Sequence, residues 1–310
     1  MKIVIVGDFS KTSIEMIVGQ FPSDWRVVIV AAREMEPVLA DAEVIIPEHV
    51  KVDGPFLDRA KKLRLVQTGA GFDNVEIAEC TQRGIYVANA AGVNTVAVAE
   101  HVFALILCWY KAMVHLDGAM KRGKYGVDYT GSEVAGKTIG IVGMGSIGRA
   151  VARRALAFEM KVLGYDIRPV DADGDVCMTD MATLLSRSDV ITLHTFLDDR
   201  TRHLIGRREL DAMRKEAFLI NTSRGPVVDE AALIEALQAK RIAGAGLDVF
   251  EKEPLPKESP LRTMENVILT PHTAGMPDGL KFHRKRYAYF RENILRVSQG
   301  KAPLNALNRI

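Results

Sequence analysis

The stretch Gly140-Ile141-Val142-Gly143-Met144-Gly145-Ser146-Ile147-Gly148-Arg149 decides how the rest of the chain reads. An apolar run ends in G-x-G-x-x-G, and apolar residues then recur at Ile147, Val151, Ala155, Leu156 and Phe158, a helical face. Strand, glycine turn and helix in this order lay a pyrophosphate on a helix N-terminus. Gly143 permits the tight turn, Gly145 lets a phosphate approach bare backbone, and Gly148 lets the helix pack against the strand. The free amides and partial positive charge of the helix start then face the anion. The next apolar run, Lys161–Tyr165, leads to Asp166, where a carboxylate accepts hydrogen bonds from both ribose hydroxyls. An acid there repels a 2′-phosphate, which favours NAD over NADP, although Arg168 leaves that preference open. The other strand-to-glycine turn, Ile5-Val6-Gly7-Asp8, offers one glycine and an acid that would repel a pyrophosphate.

Outward from this turn, short apolar runs alternate with helical segments, the pattern of a parallel α/β architecture. The first half offers strands at Lys2–Val6, Val27–Val30, Val44–Ile46, Leu63–Gln67 and Ile85–Ala88. The second offers Thr138–Val142, Lys161–Tyr165, Val190–His194, Phe218–Asn221, Ala245–Val249 and Asn266–Thr270. Near-continuous apolar character predicts sheets covered by helices on both faces. A helix from Asn94 to about Lys111 is apolar nearly all round and is expected between two packed bodies, at the domain junction. The expected division is 1–98 with 277–310, a substrate domain, and 99–276, a dinucleotide-binding domain. A last helix, about Gly279 to Gly300, carries His283-Arg284-Lys285-Arg286, which reads as a solvated face.

Composition narrows the field. The 310 residues are 48% hydrophobic and 26% charged, and 41 basic against 39 acidic residues leave a net charge of +2. That balance calls for neither nucleic acid nor an anionic membrane. Three scattered cysteines form no disulfide framework or zinc motif, and a reducing, cytoplasmic setting is expected. The apolar start stops at Gly7-Asp8, short of a signal peptide. No apolar run approaches the roughly 18 residues of a membrane span.

Ligands of open parallel sheets bind beyond the carboxyl ends of the strands. Three such ends here read Asn221-Thr222-Ser223-Arg224-Gly225, Leu247-Asp248-Val249-Phe250-Glu251-Lys252-Glu253-Pro254 and Pro271-His272-Thr273-Ala274-Gly275. Hydride transfer to a ketone builds charge on its oxygen, which needs a proton donor, and histidine suits that task near neutral pH. A neighbouring carboxylate orients the ring and stabilises imidazolium. An arginine fork binds a substrate carboxylate at two points. Together these parts describe a 2-hydroxy acid dehydrogenase. The other histidines (His49, His101, His115, His194, His203, His283) show no ligand spacing, and no metal is expected.

With these motifs the sequence resembles the D-isomer-specific 2-hydroxyacid dehydrogenase family over nearly its whole length. The resemblance implies two doubly wound parallel-sheet domains, a Rossmann NAD domain inserted into a flavodoxin-like substrate domain, with the active site in the cleft and commonly a homodimer. It implies Arg224, Glu253 and His272 as the catalytic trio, with Arg224 on the substrate carboxylate. It assigns the cofactor to Gly143, Gly145, Ser146, Ile147, Gly148, Asp166, Thr222, Ser223, Arg224, Asp248, His272 and Gly275, Asp248 lying at the nicotinamide end. Gly69-Ala70-Gly71 resembles the family's backbone cradle for the carboxylate, and a glycine-rich turn with bare amides suits an anion. Phosphoglycerate-specific members place basic residues around that turn. Here it reads Val66-Gln67-Thr68-Gly69, and Glu48 stands where a phosphate would want a cation. With the last residue at Ile310, no appended regulatory domain is expected. A small unphosphorylated 2-oxo acid such as glyoxylate, hydroxypyruvate or pyruvate is therefore expected. The alternatives are D-3-phosphoglycerate and a NAD-sensing, corepressor-like binding role.

Overall fold

In the structure, a computed structural model, residues 1–48, 50–125, 131–171, 174–276 and 280–310 are described, with backbone alone at 280 and 281. His49, the expected boundary residue 277 and the expected helix start Gly279 lie outside the described residues. The chain divides into two compact units, Met1–Asn94 with Met276–Ile310, and Thr95–Gly275.

The first unit holds a sheet of β1 (Lys2–Val6), β2 (Arg26–Val30), β3 (Val44–Pro47), β4 (Leu65–Gln67) and β5 (Tyr86–Ala88). Its order is β2-β1-β3-β4-β5, every pair parallel, with Ile3 opposite both Val27 and Val44. Alternation along β1 explains its unbroken apolar character. Ile3 and Ile5 join a core with Ile17, Tyr287, Phe290 and Ile294, while Val4 and Val6 join one with Ile45, Phe56, Leu57 and Cys80. Each large side chain so removed from water contributes roughly 1.5–3 kcal/mol.

The last helix, Leu280–Ser298, covers one face of this sheet and corrects the expectation for its basic run. Arg284 and Lys285 are exposed, but Arg286 is only 7% exposed. Helical spacing puts Arg286 on the inner face with Phe282 and Phe290. Its guanidinium pairs with Glu48 and lies over the rings of Tyr287 and Phe290, at 5.5 and 5.1 Å from their centroids. The Tyr287 hydroxyl also donates to Glu48, at 3.1 Å. Glu48 is thus a compensated charge rather than a free acid, and its identity alone does not argue against an anionic substituent.

The second unit holds β6 (Thr138–Val142), β7 (Lys161–Tyr165), β8 (Val176–Met178), β9 (Val190–Leu193), β10 (Phe218–Asn221), β11 (Gly244–Leu247) and β12 (Val267–Leu269). Their order is β12-β11-β10-β9-β6-β7-β8, again parallel throughout. The edge strand β8 adds a seventh to the six expected, being too short to show a period. The apolar helix Thr95–Tyr110 starts where the chain passes from the first unit to the second, and it belongs wholly to the second. Val102, Phe103, Leu105 and Ile106 pack with Ile139, Ile141, Phe218 and Ile220, and Trp109 stacks on Phe218 at 4.6 Å. Among the described residues, no single helix is long and apolar enough to cross a membrane.

Candidate active site

Because all seven strands of the second unit run parallel, their carboxyl ends share one edge, and the strand order reverses on either side of β6. The glycine turn leaves β6 at that switch point. Gly143 has φ +96°, and a side chain there would lie 2.6 Å from the His194 carbonyl. A Cβ on Gly148 would meet the Gly143 carbonyl at 2.1 Å, so helix and strand touch through bare backbone. Gly145 differs, with no atom within 4 Å of its Cβ position. The space in front of it is what an approaching pyrophosphate requires. The helix Ser146–Ala157 starts there with no side chain capping it, Ser146 exposed and Ile147 packed into the core.

Asp166, just past β7, accepts the Met144 amide at 2.9 Å and the Arg168 amide at 3.0 Å. Burial works to raise its pKa, but these two amides and the Arg168 charge outweigh it and hold the carboxyl below its ordinary value. The Arg168 guanidinium lies 3.4 Å from Asp166, so the two residues on which NAD or NADP preference turns are paired. Two buried hydroxyls at the same edge, Thr195 Oγ1 and Thr222 Oγ1, have no hydrogen-bond partner among the described residues. Thr195 was missed in the sequence, since a lone threonine carries no pattern. Open glycine, uncapped helix, orphan hydroxyls and ionised Asp166 together fit a dinucleotide.

Beyond β10 the chain turns on Asn221. Its Oδ1 accepts from the Ser223 amide and hydroxyl at 3.0 and 2.8 Å, and its Nδ2 donates to the Arg224 carbonyl at 2.9 Å. Ser223 thus shapes the turn with the hydroxyl expected at the cofactor. Gly225 then lets this loop reach the one after β11, since a Cβ there would sit 1.9 Å from the Phe250 carbonyl. Arg224 is brought near enough to Glu253 for its charge to help lower the Glu253 pKa.

Glu253 Oε1 accepts the Phe250 amide at 3.1 Å, and Oε2 lies 2.7 Å from His272 Nδ1. Burial tends to raise the Glu253 pKa, but the hydrogen bond and charge of His272 dominate and the net direction is down. His272 Nε2 makes no hydrogen bond among the described residues. By contrast, burial pushes His194 down to about 3, so it stays neutral.

Asp248, expected at the nicotinamide end, is 1% exposed, and the protein itself occupies its carboxylate. It accepts from Thr270 Oγ1 at 2.6 Å and from the Thr273 and Ala274 amides at 2.9 Å each. It therefore underlies the turn that carries His272 and ends at half-buried Gly275.

In the first unit, Gly69-Ala70-Gly71 follows β4. The Gly69 and Ala70 carbonyls are held by the Ala90 amide (2.8 Å) and Asn89 Nδ2 (3.0 Å). The amides of Gly69, Ala70 and Gly71 donate to no acceptor among the described residues. Pinned carbonyls and free amides are what an anion cradle needs. Among the described residues no group of three or more His, Cys, Asp or Glu is placed to hold a metal ion.

Comparison with known proteins gives the family. The family described as D-isomer specific 2-hydroxyacid dehydrogenase, NAD binding domain, matches residues 103–274. The chain belongs to that family. A glyoxylate reductase of Korarchaeum cryptofilum (strain OPF8) is 42% identical to this dehydrogenase over 268 residues, 83% of this chain and 80% of that protein. A D-3-phosphoglycerate dehydrogenase of Archaeoglobus fulgidus is 38% identical over 86% of this chain, which spans only 51% of that protein. The structure of D-lactate dehydrogenase from Aquifex aeolicus, complexed with NAD and lactic acid, superposes with a TM-score of 0.88 at 29% identity, covering 98% of each chain.

Proposed function

We propose that this dehydrogenase reduces a small 2-oxo acid of the glyoxylate or hydroxypyruvate type with NADH, using His272 as proton donor. The single observation behind this is the His272–Glu253 pair: Nδ1 is held by a carboxylate at 2.7 Å while Nε2 is left unengaged, on the sheet edge that carries the dinucleotide turn. When bound, NADH supplies the hydride. His272 Nε2 gives its proton to the substrate oxygen as charge develops there, and Glu253 balances the imidazolium beforehand. Arg224 takes the substrate carboxylate through its planar fork. In the first unit, the free amides of Gly69, Ala70 and Gly71 are donors of the kind a carboxylate takes.

Asp166 supports NAD as the working cofactor. Three cysteines without disulfides support a reducing, cytoplasmic setting. Exposed Met113, Val114 and Met120 on one short helix support association into a homodimer. The deciding experiment is turnover with NADH across glyoxylate, hydroxypyruvate, pyruvate and phosphohydroxypyruvate. Glyoxylate or hydroxypyruvate is expected to give the highest kcat/KM. Preference for the phosphorylated acid would overturn the substrate class, and no turnover on any would favour a binding role.

A further inference from the structure

His272 sits at φ +55°, in the left-handed region that residues other than glycine seldom hold. Something must keep it there. Its amide donates to the Asp248 carbonyl at 2.8 Å, and the next two amides, Thr273 and Ala274, donate to the Asp248 carboxylate. The His272 amide also lies 3.1 Å from the Thr270 carbonyl, so backbone carbonyls hold the start of the turn and the one buried carboxylate holds the two amides after it.

Asp248 is itself held from a third side. Thr270 Oγ1 lies 2.6 Å from Asp248 Oδ1, and His101 Nε2 lies 3.0 Å from the same Thr270 Oγ1. The protons in this chain can be assigned by elimination. A carboxylate only accepts, so the Thr270 hydroxyl proton points to Asp248. With its one proton used, Oγ1 can only accept from His101. His101 Nε2 must then carry a proton, as the Nε2–H tautomer or as imidazolium. In either form its N–H also lies on the Asp248 side, with Nε2 3.8 Å from Oδ1. His101 comes from the helix Thr95–Tyr110, in the same unit as the turn, and its side chain is 20% exposed.

We propose that His101 is a positioning residue for His272, acting through Thr270 and Asp248. This rests on His272 being the proton donor. Without the His101 N–H, the Thr270 hydroxyl is free to turn its proton elsewhere. Asp248 then loses one of three donors, and the His272 turn loosens. The loss falls on turnover rather than on NADH binding, because Gly145, Asp166 and the start of the helix Ser146–Ala157 take no part in the chain.

The test is kcat, KM for glyoxylate and NADH affinity for His101→Phe, His101→Gln, Thr270→Val and the double variant His101→Phe/Thr270→Val, beside His272→Asn. His101→Phe and Thr270→Val are each expected to lower kcat about tenfold, as loosened alignment of a reacting group does, with NADH affinity within about twofold of wild type. His101→Gln, whose amide can donate to Thr270, restores most of the loss. The double variant is no worse than the poorer single one, because both act through one chain. Nitrogen-15 NMR of the wild type is expected to show the His101 proton on Nε2. Unchanged kcat in His101→Phe, additive losses in the double variant, no rescue by Gln, or a bare Nε2 would each overturn the proposal. Full activity in His272→Asn would instead overturn the role of His272 itself.

Discussion

Replacing Glu253 with glutamine keeps the side chain's size and its ability to accept from His272 Nδ1, but removes the charge. The energy at stake can be bounded. Two unit charges about 4 Å apart interact by about 1 kcal/mol in water and about 4 kcal/mol at the effective dielectric of a protein surface. His272 and Glu253 are 42% and 36% exposed, so solvent screening places the pair toward the lower end, about 1–2 kcal/mol. At 1.36 kcal/mol per factor of ten this is about tenfold in rate. The sign follows from the reaction. Reduction needs the protonated ring, and the carboxylate favours it, so Glu253→Gln lowers kcat/KM for reduction about tenfold. The assay is initial rate against pH with NADH and glyoxylate, for both proteins in one buffer series. An unchanged or higher kcat/KM in Glu253→Gln refutes the pairing. Stability gives a second readout. His272 holds the Glu253 pKa below its ordinary value, so the contribution is present above the ordinary carboxylate value and lost as pH falls through the lowered one. The Tm gap between wild type and Glu253→Gln should therefore close in that acid range.

Arg224→Lys keeps the charge and loses the planar fork, so KM for the 2-oxo acid rises and kcat falls while NADH affinity holds; an equal loss of NADH affinity would give Arg224 to the cofactor. Asp166→Ala relaxes discrimination against NADPH by removing the repulsion, and wild-type enzyme that already prefers NADPH would show that Arg168 governs. Gly225→Ala forces a Cβ to within 1.9 Å of the Phe250 carbonyl and should cost about 3 kcal/mol of stability, read as a lower denaturation midpoint; an unchanged midpoint contradicts that packing. Glu48→Gln leaves the buried Arg286 guanidinium without its counter-charge and should cost about 3–5 kcal/mol by the same measurement, which an unaltered midpoint would refute.

What could be read in the sequence was local. Apolar runs mark strands buried on both faces, and the three glycines from Gly143 to Gly148 mark a turn whose spacing is fixed by contacts within one strand–helix unit. Asp166, Arg224, Glu253 and His272 could be singled out because each stands at a strand end, and parallel strands put such ends on one edge. Partners far apart along the chain left no signal. Arg286 looked solvated within its basic run, yet its partner Glu48 is 238 residues away. The hydrogen bond from His101 to Thr270 spans 169 residues. Asp248 sat in a motif that suggested a ligand contact, whereas its oxygens meet amides and a hydroxyl of the His272 turn. Strand β8 was too short to show a period, and Cys177 at its centre is exposed.

The central claim is that His272 moves the proton while the dinucleotide is held elsewhere, and His272→Asn tests it most directly. Turnover of NADH and glyoxylate is measured beside NADH affinity by fluorescence titration. The expected result is a loss in kcat of about 10²–10⁴-fold with NADH affinity within about twofold of wild type. Near-normal turnover would contradict the claim.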